Sequence, residues 1–151
     1  MEEMEQRVWQ RVKAAMPEGQ TETALHEFAL AAEEAIEDYR RRLQRSSGSQ
    51  RELLRQLLKL EEENLNSICG LHYLQTGSGM RKRRGPGSGN MDSRGLVLRY
   101  HTARKLLAEY TARSAQPEWG CVFQAMARRQ EQQCDLLARL MGLETQKIGA
   151  R

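Results

Sequence analysis

The sequence predicts an all-α fold, a four-helix bundle, and three observations predict it. Apolar residues recur every three or four positions over four long stretches, no stretch alternates apolar and polar residues as a half-buried strand would, and turn-forming residues fall between the stretches. One domain is expected of 151 residues, and a hydrophobic fraction of 39% suffices for one core when it is concentrated on helix faces.

Residues 1–17 predict a short amphipathic helix over Glu2 to Met16, with Val8, Trp9, Val12 and Met16 on one side and Pro17 and Gly19 as its stop. The first bundle helix is expected over about 21–46. Thr21 supplies an N-cap, Leu25, Phe28, Ala29, Ala32, Ile36, Tyr39 and Leu43 form the stripe, and Ser46-Ser47-Gly48 breaks the pattern. The second is expected over 49–76. Ser49 followed by Glu52 has capping-box spacing, and Leu54, Leu57, Leu58, Glu61, Leu65, Ile68, Leu71 and His72 run down one face to Thr76-Gly77. The third, 95–114, is marked by Leu96, Tyr100, Ala103, Leu107 and Tyr110. The fourth, 117–141, carries Val122, Phe123, Met126, Ala127, Gln130, Cys134, Leu137, Leu140 and Met141, with Gly142 as its stop, 143–151 as a tail and Trp119 clamping its start.

Short connections join the first helix to the second and the third to the fourth, so each pair is expected to be antiparallel. The middle connection, 77–95, is long, rich in glycine and without apolar periodicity. A 25-residue helix is about 38 Å long, and this segment could extend to about 60 Å. It can therefore cross the bundle from end to end.

That segment also carries the charge. Arg81, Lys82, Arg83, Arg84 and Arg94 stand there against Asp92 alone, which accounts for the whole net charge of +4. The basic balance thus reports one loop and gives no sign of a nucleic-acid-binding face on the folded body. The run Arg81 to Arg84 is a candidate polyanion contact, for nucleic acid or acidic lipid headgroups, but lacks aromatics on which bases could stack.

Cys69, Cys121 and Cys134 are odd in number and widely spaced, which fits neither a disulfide framework nor a paired-cysteine zinc motif. No stretch is apolar enough to span a membrane and the N-terminus is acidic, so a soluble, cytoplasmic protein is expected. Without strands, a glycine-rich phosphate loop has no βαβ setting, and no nucleophile motif stands in a usable context. Cys69 and His72 lie three apart on one helix face, where Cys134 could complete a soft zinc or copper site. His26 and His101 are expected at the surface.

The chain also compares with itself. A shift of 69 residues lays the second helix on the fourth, bringing Leu54 onto Phe123, Glu61 onto Gln130 and Asn64 onto Gln133. A shift of 71 lays the first on the third, bringing Phe28 onto Arg99, Ala32 onto Ala103 and Tyr39 onto Tyr110. Two duplicated helical hairpins account for both.

Over roughly 21–142 the chain resembles the rubrerythrin and ferritin-like superfamily. The likeness is carried by LEEENLNSICGLHYLQTG, by the tyrosine-bearing AAEEAIEDYRRRL and ARKLLAEYTARSA, and by VFQAMARRQEQQCDLLARLMG. It implies a ferritin-like bundle with one long crossover, two iron or manganese ions in the core, and often a homodimer. The metals would be held by a glutamate from each of two helices and a Glu-x-x-His from each of the others. Carried over residue by residue, those positions are Ala32, Ala103, Glu61 with Asn64, and Gln130 with Gln133. Only Glu61 keeps a ligand. Carboxamides and methyl groups are poor ligands for these cations, so no metal or other cofactor is expected, and Asn64, Gln130 and Gln133 are expected to bond one another, with Glu61 protonated or paired with an arginine. The resemblance then implies a non-catalytic scaffold or interaction protein that self-associates or binds another protein. The alternatives are an iron- or manganese-dependent oxidoreductase or metal-handling protein with a shifted site, drawing on Glu61, Glu62, Glu33 or Glu34 and His72, and polyanion binding through Arg81, Lys82, Arg83 and Arg84.

Overall fold

The computed structural model describes residues 18–80 and 92–149. The predicted helix over Glu2 to Met16 and the basic run Arg81 to Arg84 lie outside the described residues. Four α-helices and no strands make up the described chain: α1 (Glu18–Gln44), α2 (Gly48–Thr76), α3 (Ser93–Arg113) and α4 (Gly120–Gly149).

The apolar stripes point where periodicity places them. Leu25, Phe28, Ala32, Ile36 and Tyr39 of α1 are buried, as are Leu54, Leu57, Ile68 and Leu71 of α2, Leu96, Ala103 and Tyr110 of α3, and Phe123, Met126, Leu137 and Leu140 of α4. They form two clusters. One gathers Leu25, Phe28, Ile36, Ile68, Leu71, Tyr110, Phe123 and Met126; the other gathers Tyr39, Leu54, Leu57, Leu96, Ala103, Leu137 and Leu140.

Cross-helix contacts give the directions. Arg40 meets Glu62 and His26 meets His72, so α1 and α2 are antiparallel. Phe28 meets Tyr110 and Asp38 meets Arg99, so α1 and α3 are antiparallel. Asn64 meets Gln130 while Gln56 and Arg139 line one depression, so α2 and α4 are antiparallel. Hence α2 and α3 run the same way, with the C-terminus of α2 at one end of the bundle and the N-terminus of α3 at the other.

The helix ends depart from the sequence signals in instructive ways. Thr21 is not an N-cap, because α1 already starts at Glu18. Ser47, not Ser49, occupies the N-cap position of α2, in extended backbone and without a side-chain hydrogen bond. Gly77 does end α2, in the left-handed conformation with its N–H bonded to Tyr73 O at 2.8 Å. Asp92 caps α3 through Gly95 N at 2.9 Å, so the helix starts at Ser93, two residues before the expected start. Gly142 does not stop α4, which continues to Gly149. A glycine ends a helix by turning left-handed, and Gly142 keeps a negative φ.

The tight turn between α3 and α4 depends on contact distance. A Cβ on Gly120 would lie 2.5 Å from the backbone oxygen of Ser114. Trp119 packs half-buried against the first cluster, and its carbonyl accepts from Val122 and Phe123 N–H at 3.1 Å, which is the expected clamp on α4.

Candidate functional site

Between the two apolar clusters lies a layer of buried polar side chains. Glu61 and Asn64 enter it from α2, Gln130 and Gln133 from α4; all four are at most 1% exposed. Positions 61 and 64, like 130 and 133, are one helical turn apart and share a face. Ala32 and Ala103, also buried, bring only methyl groups.

The amides satisfy one another. Asn64 Nδ2 donates to Gln130 Oε1 at 3.3 Å and to Met126 O at 3.4 Å. Gln133 Nε2 donates to the same Gln130 oxygen at 3.3 Å, and Gln130 Nε2 donates to Ala103 O at 3.2 Å. Tyr39 OH completes the network by donating to Gln133 Oε1 at 3.4 Å. At the rim, Arg129 donates to Asn64 Oδ1 at 3.4 Å and Ser67 Oγ at 3.0 Å, and its Nε lies 3.3 Å from a Glu63 oxygen.

Glu61 is the exception. Its Oε1 is buried without a hydrogen-bond partner. Loss of solvent raises its pKa to about 7, against smaller lowering contributions from the Gln133 amide and the Arg99 guanidinium. Arg99 itself is committed to Asp38 in a buried ion pair between α3 and α1. Of the two outcomes expected for Glu61, protonation is therefore the one the surroundings favour. Burial likewise pushes the Tyr39 and Tyr110 hydroxyls well above the usual range, with Glu61 adding to both, so both phenols stay protonated.

Repeat-related positions are alike in place and different in chemistry. Tyr39 has an amide partner, while the Tyr110 hydroxyl has none; the residue on α2 that corresponds to Gln133 is Asn64, shorter by one methylene. Phe28 and Arg99 are both buried, yet Phe28 meets Tyr110 edge to face at 5.0 Å while Arg99 carries the ion pair.

The other candidates fall elsewhere. Glu62 is exposed and paired with Arg40 at 3.4 Å, and His72 lies eleven residues along α2 from Glu61, about 16 Å. The set Glu61, Glu62, Glu33 or Glu34 and His72 is therefore not one site. Cys69 packs with the first apolar cluster and Cys134 belongs to the second, so with His72 they form no common site. His101 is exposed beside Tyr100. His26 is exposed as expected, but its ring stands edge-on to His72 with centroids 5.2 Å apart. Sequence reasoning missed Asp38, Arg99 and Arg129. A signal existed for the first pair, since an arginine aligned by the repeat with a core phenylalanine demands a buried counter-ion.

The donor set does not fit a dinuclear iron or manganese centre. One carboxylate remains, the amide nitrogens point into the layer as donors, the Gln130 oxygen already accepts twice, and Arg129 brings a cation to its rim. Compared with protein families, characterised proteins and solved structures, the chain matches none of them. No helix among the described residues is long and apolar enough to cross a membrane.

Proposed function

We propose that the chain is a ferritin-like bundle whose dinuclear metal centre has been replaced by a hydrogen-bonded polar layer, and that it serves as a non-catalytic scaffold or interaction protein. The observation that carries this reading is the placement of Ala32, Glu61, Asn64, Ala103, Gln130 and Gln133. All six are buried in the interior, with the three amides bonded to one another. The shared direction of α2 and α3 supports it too, because it puts the C-terminus of α2 and the N-terminus of α3 at opposite ends of the bundle, the arrangement that a ferritin-like topology calls for. The reading extends to self-association or a protein partner. Leu30, Tyr73, Leu74, Val97 and Leu98 leave large apolar surfaces open for such contacts.

Anaerobic ferrous titration followed by oxygen tests the reading of the core. The expected result is no diferric chromophore and no accelerated ferrous oxidation. Formation of that chromophore, abolished by Glu61→Gln, would overturn it. Sedimentation over a range of concentrations tests the assembly; a monomer throughout would remove self-association and leave only a heterologous partner.

A further inference from the structure

At the end of the bundle remote from the N-terminus of α3, a second group of side chains converges. Glu22 and His26 are four residues apart on α1 and share its face. His72 comes from the last turns of α2. Each offers one ligand atom, and the three atoms lie within 4.8 Å of one another. The arrangement comprises two imidazoles and one carboxylate, with Glu22 and His26 exposed and His72 buried.

His72 is held by its own helix end through one ring nitrogen. Its Nδ1 lies 3.1 Å from the Ser78 carbonyl, which can only accept, so the proton sits on Nδ1 and the Nε2 lone pair is available. The Thr76 hydroxyl holds the same segment, 2.9 Å from His72 O and 3.3 Å from Ser78 O. A carbonyl behind an imidazole fixes the tautomer and the orientation of the ring. In front of the group lies an open depression of about 600 Å³, lined by Thr23, Glu27, Leu30, Glu33 and Met80 beside the two histidines.

From these observations we infer that Glu22, His26 and His72 form a zinc site that ties the start of α1 to the end of α2. Two histidines and a glutamate are a donor set that Zn²⁺ favours, with a fourth position left to solvent. Bonds of about 2.0–2.1 Å in a tetrahedron put donors about 3.4 Å apart. The group closes from 4.8 Å to that spacing by rotamer changes of Glu22 and His26, which solvent does not restrain. Because His26 and His72 both line the depression, there is room there for an exchangeable water or a small anion at the fourth position. This inference is independent of the polar layer, whose α2 members lie about 12 Å (Asn64) and about 16 Å (Glu61) away along the helix.

The test is calorimetric titration of Zn²⁺ into the full chain stripped with chelator, together with Co²⁺ absorption as a reporter of tetrahedral geometry. One equivalent should bind, Co²⁺ should give intense visible bands, and thermal unfolding should shift upward with added Zn²⁺. His26→Ala and Glu22→Gln, both at exposed positions, should each weaken binding, His26→Ala by at least about a hundredfold, without changing the helical circular dichroism of the metal-free chain. His72→Ala should abolish binding, and because it alters a buried residue the two exposed variants keep the test decisive if it does not fold. Affinity unchanged in His26→Ala and Glu22→Gln would overturn the inference. So would binding lost in Glu61→Gln and kept in His26→Ala, or weak, unsaturable binding at several sites.

Discussion

Replacing Glu61 with glutamine should make the bundle more stable at pH 8 and change its stability little at pH 5. The wild-type carboxyl is buried beside amide and phenol groups, and loss of solvent lifts its pKa from 4.5 to about 7. Between those values the folded chain holds a proton that the unfolded chain has released. Stability from this group is therefore fully present below about pH 4.5 and declines as pH rises to about 7, after which it is level. At 1.36 kcal/mol per pKa unit the whole change is about 3 kcal/mol, with roughly 2 to 3 kcal/mol falling between pH 5 and pH 8. Glu61→Gln keeps the shape and a hydrogen-bond donor but cannot ionise. Urea unfolding of both proteins at half-unit steps from pH 5 to pH 8 would isolate the contribution, because other titrating groups cancel in the difference. In a chain of this size the pH 8 gap amounts to a melting-temperature rise of roughly 5 to 10 °C. A wild-type-to-variant difference that stays constant within about 0.5 kcal/mol across that range would refute the account of Glu61 as a group held near neutrality by burial.

Three further outcomes follow from the packing. Asp38→Asn should cost about 3–5 kcal/mol by leaving Arg99 buried without its counter-ion; chemical denaturation should show most of that loss recovered in the double variant Asp38→Leu with Arg99→Met. Gly120→Ala should cost about 1–3 kcal/mol, since the new Cβ would strike the Ser114 carbonyl. Gly70→Ala, in mid-helix with open space around it, should gain about 0.5–1 kcal/mol, a contrast that one pair of thermal scans resolves. Tyr39→Phe should cost about 1 kcal/mol by removing a donor to Gln133, whereas Tyr110→Phe should be neutral or stabilising, its hydroxyl being buried without a partner.

How much of this was legible in the sequence follows from the range of each interaction. Helix faces were, because burial imposes a three-to-four periodicity on every turn: Leu25, Ile36, Leu54, Ile68, Phe123 and Leu137 all lie where their spacing puts them. The polar interruptions of those stripes at Glu61, Asn64, Gln130 and Gln133 were equally readable. Helix ends were less so. Glycine is only a permission, and at Gly77 the chain turns left-handed while at Gly142 it continues. Partners of charged residues were least legible. Arg129 fulfils its hydrogen bonds across more than sixty residues of sequence, and His72 finds His26 from another helix. No local pattern encodes such distances.

The buried layer raises the question of why a core keeps amides where leucines would pack. Its bonds connect different helices: Asn64 of α2 to Gln130 of α4, Gln130 to the α3 backbone at Ala103, and Tyr39 of α1 to Gln133 of α4. Apolar stripes constrain rotation about each axis strongly and translation along it weakly, since a slide of one turn lays leucine against leucine again. A hydrogen bond that must be made or else leave a buried amide unsatisfied penalises such a slide by about 1–3 kcal/mol for each group. Placed between two apolar clusters, the layer touches all four helices and sets their axial register. That role requires donors and acceptors in equal supply and no net charge, conditions that three amides and a tyrosine meet. It accounts for the polar residues at these positions without asking them to hold a metal, and it makes Glu61, the carboxyl in the layer, the point at which pH near neutrality acts on the fold.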